Sequence, residues 1–296
     1  MLDCSLASDL ECSFVNDKFG YYTCMTMNLD LMNTTTLIDS IEGQHMSGKK
    51  QIDVEGLLVV RSNNKYLSSS IFEKFPNLKV LSVMYFSVEK IVEGNFNGAQ
   101  HLNEIFINNN DISELRENIF KGASKLTRIE MNSNSILSIS SKTFAGLTTL
   151  EHINLDHNKL TTLPEGVFND LIKLKNVSLL GNILESLDGN LFKNNLKITN
   201  ILFSNNHLSV IGSQLLEPLK NLKAANFYNN PCIHTSLHEL DNMSVLNDKI
   251  ASCTESNKPE QKLIISNSEK YELIKTELKQ RENKLLKQQF AFKCFH

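Results

Sequence analysis

A fixed interval of 24 residues governs this chain. Shifting the sequence by that interval aligns LNEIFINNNDISEL (102–115), LTRIEMNSNSILSI (126–139), LEHINLDHNKLTTL (150–163), LKNVSLLGNILESL (174–187) and ITNILFSNNHLSVI (198–211). The frame extends back through LKVLSVMYFSVEKI (78–91) to VEGLLVVRSNNKYL (54–67), and forward to LKAANFYNNP (222–231). Eight starts, at 54, 78, 102, 126, 150, 174, 198 and 222, keep one phase without insertion. A unit this short cannot bury its own apolar set, so units must stack and share one continuous core.

Each position in the unit has a physical role. Ile153 and Leu155 alternate with Asn154 and Asp156, the period of a short strand with one buried face. One strand per unit, followed by a return that is not a hairpin, makes neighbouring strands parallel. The return carries a second apolar set, Leu160, Leu163 and Phe168. Phe72, Phe96, Phe120, Phe144, Phe168 and Phe192 recur in one phase, with Leu216 in the next turn, and are expected to stack as a buried spine on the convex side. Asn110, Asn134, Asn158, Asn182, Asn206 and Asn230 form a second column. Backbone groups lose their ladder partners where the strand turns away, and a carboxamide offers them both a donor and an acceptor. That column is therefore structural. Ser62 and Phe86 hold the same phase in the early units, where the turns are expected to be irregular.

The unit L-x-x-L-x-L-x-x-N-x-L, with its following phenylalanine, resembles the leucine-rich-repeat signature over roughly residues 54–232. The resemblance implies an α/β solenoid: a horseshoe of eight 24-residue repeats with a parallel concave sheet, followed by a C-terminal helix. The expected organisation is an N-terminal cap at 1–53, repeats at 54–231, a C-terminal cysteine cap at 232–254, and a linker and helix at 255–296.

An open solenoid end exposes core, so both ends should be capped. Before the array lie Cys4, Cys12 and Cys24, and YYTCMTMNLDL (21–31) alternates like a strand able to lid the first repeat. The polar stretch 32–53 reads as a loop or a degenerate unit. After the array, NPC at 230–232 and Cys253 resemble the C-terminal cysteine cap of extracellular leucine-rich-repeat proteins. Six cysteines, all outside the repeats, favour disulfides and an oxidising compartment. The expected pairs are Cys12–Cys24 and Cys232–Cys253, among about 15 schemes that six cysteines allow. Cys4 and Cys294 are left to pair with each other, stay free, or bridge to another chain. Three N-x-[ST] sequons, at Asn33, Asn176 and Asn242, fit a secreted glycoprotein. Asn176 falls on an outward strand position, where a glycan would blunt binding.

The last segment, SNSEKYELIKTELKQRENKLLKQQFAFKCFH (266–296), has no repeat phase. Ser266 and Glu269 have capping-box spacing, and Tyr271, Leu278, Leu285 and Phe292 recur at seven with Ile274, Arg281 and Gln288 between them. A helix packed on the cap, the start of a longer coiled coil, and a partly ordered tail all fit. Capped repeats followed by a helix also resemble, in layout, the insect leucine-rich-repeat immune proteins with a coiled-coil tail, which can be joined through cysteines. That likeness implies a place in innate immunity and homo- or hetero-oligomers formed through the helix or through Cys4 and Cys294.

Composition excludes several classes. With 41% hydrophobic and 21% charged residues and a net charge of −3, the chain is neither disordered by composition nor a nucleic-acid binder by charge. No apolar run is long enough for a membrane-spanning helix. MLDCSLASDLEC lacks the basic and apolar regions of a signal peptide, which is expected to have been removed or to lie outside this sequence. No catalytic motif of known mechanics is present, and no cofactor is expected. His234 and His238 stand four apart beside Cys232, a spacing that suits zinc on a helix; with Cys232 assigned to the cap, no metal is expected. His157 and His207 read as exposed turn residues.

What remains is the concave face, a grid roughly 38 Å long over eight strands. Its candidate ligand-binding residues are Phe106, Asn108, Arg128, Glu130, Asn132, Glu151, His152, Asn154, Asp156 and Tyr228. Carboxylates such as Glu130 and Glu151 on neighbouring strands suit a binding surface, since no enclosed pocket exists to tune them for acid–base work. The sequence thus reads as a secreted, non-enzymatic recognition protein for a protein or glycan ligand. The alternatives are the ectodomain of a membrane receptor and a matrix or scaffold protein assembling through its C-terminal helix. Non-reducing electrophoresis tests the cysteine argument: a covalent dimer establishes assembly through Cys4 or Cys294, and free thiols throughout sink the extracellular reading.

Overall fold

The computed structural model describes residues 8–27, 37–60, 65–84, 87–233, 236–237 and 243–253. Strands at Gly56–Val60, Val80–Met84, Glu104–Phe106, Arg128–Glu130, His152–Asn154, Asn176–Ser178, Asn200–Leu202 and Ala224–Asn226 pair in parallel, each 24 residues after the last. Register is exact from turn to turn, as in Ile105↔Ile129, Ile129↔Ile153 and Ile153↔Val177. The chain is an α/β leucine-rich-repeat solenoid, and its repeats carry the expected phase.

Two periodic devices hold the turns together. The first is the asparagine column, buried from Asn110 to Asn230. Each Oδ1 accepts the N–H of the residue 22 positions earlier, at 3.0–3.2 Å. Each Nδ2 donates to the carbonyl 27 positions earlier, at 2.8–3.0 Å. Each Nδ2 also donates within its own turn, Asn110 to the Asn108 carbonyl at 3.0 Å and the rest to the carbonyl three positions earlier, as Asn158 does to Leu155 at 2.9 Å. One carboxamide thereby satisfies three backbone groups that would otherwise be buried unpaired.

The residue before each asparagine makes this possible. Asn109, Ser133, His157, Asn205 and Asn229 have φ of 53–57°, and Gly181 has φ of 69°. A left-handed residue reverses the chain direction, and asparagine and glycine tolerate it best.

The second device is the aromatic spine. Phe72 through Phe192 stack with centroid separations of 5.6–6.2 Å. Where Leu216 takes the spine position, the aromatic path crosses the core: Phe203 lies 6.3 Å from Phe192, and Phe227 lies 5.7 Å from Phe203. Both occupy the inner position filled by Leu155 and Leu179 in earlier turns. The volume lost on one side of the column is regained on the other.

The convex side carries short strand pairs, Glu114–Leu115 with Ser138–Ile139 and Ser186–Leu187 with Val210–Ile211. Between them the fifth repeat places Pro164 where Ser140 donates its N–H to the Leu115 carbonyl (2.8 Å) and Gly212 to the Leu187 carbonyl (2.9 Å). Proline has no N–H to give, so the ladder is interrupted there.

Both ends are closed. At the N-terminal end Ser13–Asn16 pairs antiparallel with Tyr22–Thr26, which joins the first repeat in parallel, and Cys12 is bonded to Cys24. The stretch read as a loop or degenerate unit contains a strand: Ile38–Glu42 pairs in parallel with Ser8–Glu11, and Leu10 and Ile38 are buried. At the C-terminal end Ser236–Leu237 pairs antiparallel with Ala224–Asn226. The helix Met243–Ala251 follows, with Leu246 and Ile250 buried, and Cys232 is bonded to Cys253. The Cys253 carbonyl accepts the Ile211 N–H at 2.9 Å, which ties the cap to the last complete turn. Cys4, Cys294, Ser62, Phe86, Asn33, Asn242, His234, His238 and the helix expected within 266–296 lie outside the described residues.

Asn158→Ala leaves the Ile136 N–H and the Met131 and Leu155 carbonyls without side-chain partners. The expected cost is roughly 3 kcal/mol, read as a lowered urea midpoint. A loss as small as that of a surface substitution would show that these bonds do not hold the turns.

Candidate ligand-binding face

The inward strand residues Ile105, Ile129, Ile153, Val177, Ile201 and Ala225 are all buried. Their alternates point outward and are half-buried, forming two rows across the sheet. One row runs Glu104, Arg128, His152, Asn176 and Asn200; the other runs Phe106, Glu130, Asn154, Ser178 and Leu202. Asn108, Asn132 and Asp156 continue just beyond the strands, and Tyr228 projects from the last repeat with 56% of its surface exposed. Glu151 lies one residue ahead of its strand, on the N-terminal lip of the face.

Most of the charge is matched locally. The Arg128 Nη1 donates to Glu130 Oε1 at 2.8 Å, while its Nε stands 3.9 Å from Glu104. Lys175 donates to Glu151 at 2.7 Å, and that bond holds the Glu151 carboxyl below its ordinary range. Lys79 pairs with Glu55 in the same way on the same lip. Glu130 and Glu151 thus each have a close cation, Arg128 being shared between Glu130 and the more distant Glu104.

The amides form a relay. Asn200 Nδ2 donates to Asn176 Oδ1, and Asn176 Nδ2 lies 2.7 Å from His152 Nδ1. With the Asn176 amide in that orientation, His152 Nδ1 accepts, which fixes a neutral ring with its proton on Nε2. Burial first, then the Arg128 cation, hold the His152 imidazole below its ordinary range.

Asp156 accepts from the Ser178 hydroxyl and from the Leu180 N–H at 2.8 Å. Burial nevertheless pushes its carboxyl up. Asn108 and Asn154 use their Oδ1 atoms to brace backbone N–H groups, of Asn132 at 3.0 Å and Asp156 at 2.9 Å. The sequon residue Asn176 stands at the centre of the face, where a glycan would occupy the surface.

The N-terminal third of the face differs in kind. Met25 is paired in register with Leu58, Leu58 with Ser82 and Ser82 with Phe106, while Val60 is paired with Met84. These outward positions are apolar except for Ser82, and the sequence-based site did not include Met25, Leu58, Val60 or Met84. Parity supplied a signal: Leu57 and Val59 fit the inward positions of the repeat, which turns Leu58 and Val60 outward.

The sequence matches the family described as BspA type leucine rich repeat region, in six copies over residues 65–185 and 138–254. No curated protein matches it. Among solved structures, a chain of the Toll–Spatzle complex of Drosophila is similar, with 20% identity, 60% of this chain and 30% of that chain covered, and a TM-score of 0.43. A chain of the octameric complex of Latrophilin 3, Unc5D and FLRT2 shares 21% identity, with 60% of this chain and 62% of that chain covered and a TM-score of 0.49. This chain therefore spans less than two thirds of the length of either.

The two shifted groups act on stability in opposite senses. An unfolded histidine takes its proton near pH 6.5, and folded His152 takes it only lower, so acidification through that window weakens the fold. Asp156 is protonated at a higher pH when folded than when unfolded, so its charged form opposes the fold at neutral pH. His152→Gln is expected to reduce the fall in urea midpoint between pH about 7 and about 5. Asp156→Asn is expected to raise the midpoint at neutral pH. Variants that keep the parent's full pH dependence would contradict both assignments.

Proposed function

Because the chain belongs to the leucine-rich-repeat family of the BspA type, we propose that it is a non-catalytic extracellular recognition protein that binds a protein or glycan ligand through its concave face. The fold alone does not assign a role, since one scaffold serves many partners. The observation that carries the reading is the division of labour within each strand. The inward alternates are fully buried and carry the core, while the outward ones are half-buried and free to differ from turn to turn.

Arg128 and Tyr228 are the residue types that most often anchor interfaces, and they stand on the same side of the sheet. Asn108, Asn132, Asn154 and Asp156 supply amide and carboxylate groups between them. The cysteine bonds at both caps support an extracellular setting, because such bonds persist in oxidising compartments. Glycosylation at Asn33, Asn176 and Asn242 belongs to the same reading.

Two measurements test it. Cys12, Cys24, Cys232 and Cys253 should resist alkylation in unreduced native-source protein; ready alkylation would remove the extracellular setting. Arg128→Glu and Tyr228→Ala should each weaken retention of proteins cross-linked from the native extracellular fluid, by about tenfold. Lys121→Glu, whose side chain is paired only with Glu93 away from this face, should leave retention unchanged. Equal retention by all three variants would refute the concave-face assignment.

A further inference from the structure

The concave face has two chemistries, and the one at its N-terminal third is not explained by the repeat. Met25, Leu58, Met84 and Phe106 project from four adjacent strands of a surface whose middle presents amides, hydroxyls and ion pairs. Met25 is 38% exposed, and Met27 just beyond it is 61% exposed. Ser82, in register between Leu58 and Phe106, is smaller than either of these neighbours. Ser82 is itself buried, so the larger side chains around it form the apolar surface.

Beside this patch stands Glu104. It shares a strand with Phe106, and its nearest cation is the Arg128 Nε at 3.9 Å. That guanidinium makes its close contact, 2.8 Å, with Glu130 instead. One cation thus serves two carboxylates, and of the two Glu104 has the longer contact.

We infer that this third of the face is a docking site for a protein segment that presents an apolar side chain next to a lysine or arginine. The inference rests on the concave-face reading and narrows its ligand from a protein or glycan to a protein. The apolar side chain lies over Ser82 between Leu58, Met84 and Phe106. The neighbouring cation meets Glu104, whose charge is the less compensated of the two around Arg128. Methionine lines the site because its unbranched, polarizable chain adapts to different apolar partners. A sugar fits poorly here, since a floor of aliphatic carbon and thioether leaves its hydroxyl groups without hydrogen-bond partners. Contact between apolar surfaces supplies the affinity, and the Glu104 charge sets the register.

The probe is a phage-displayed random peptide library panned on the immobilised full chain. The enriched peptides are expected to pair an apolar residue with an adjacent lysine or arginine. Met84→Glu and Glu104→Lys should each weaken their binding by about tenfold, at an unchanged thermal midpoint because both side chains lie outside the core. Peptides whose binding survives both changes but is lost in Tyr228→Ala or His152→Ala would overturn this site and leave the concave-face reading standing. Binding insensitive to all four would sink both. Failure to enrich any peptide, a glycan-array signal lost in Met84→Glu, or self-association abolished by Met84→Glu would each overturn the choice of occupant.

Discussion

From the second repeat to the seventh, each turn of this protein is closed by an asparagine side chain that belongs to the next. The Asn158 carboxamide reaches back to the Ile136 N–H and the Met131 carbonyl in the preceding repeat, while the Leu155 carbonyl in its own turn receives the second proton. Apolar stacking supplies most of the burial but fixes no register, because it is non-directional. The carboxamide is directional and sits in the interior, where an unmet donor or acceptor is costly. From the second repeat onward this bridge adds to the backbone ladder a bond that only one register satisfies, and the stacked phenylalanines and outward rows share that phase.

The concave face inherits that regularity and varies in chemistry along its length. In the middle, the polar groups already hold one another: Arg128 with Glu130, Lys175 with Glu151, and Asn200 through Asn176 to His152. Such a surface is preorganised, and a ligand must offer equivalent bonds in exchange for the ones it displaces. Toward the N-terminal end the outward side chains are apolar and have no bonds to lose. Polar and apolar chemistry thereby occupy different strands of one sheet.

Much of this was legible in the sequence because the repeat is read eight times over. A single asparagine is ambiguous, but six in phase are not, and the spine of phenylalanines was legible for the same reason; both cap disulfides were expected instead from cysteines placed only outside the repeats and from the resemblance of the C-terminal cap. What was missed lies where periodicity fails. The parallel pairing of Ile38–Glu42 with Ser8–Glu11 joins segments outside the repeat frame. Phe203 and Phe227 stand in positions where leucine serves in earlier turns, so their stacking emerges only where Leu216 replaces phenylalanine in the spine. GLLVV and VLSVM are apolar on both faces, so outward Leu58 and Met84 look like core until a register is assigned. The relay through Asn176 required knowing which amides face each other across strands.

The column also gives the array a direction. Every carboxamide reaches toward the N-terminal neighbour, from Asn110 at one end to Asn230 at the other. A repeat therefore arrives carrying the means of closing whatever precedes it, and asks of its successor only the same service. A gene segment encoding one such unit, copied in frame, would bring its own closure and leave both caps undisturbed. Length is then a quantity that duplication can change in single steps, while the residues between the fixed positions are left free to diverge toward new ligands.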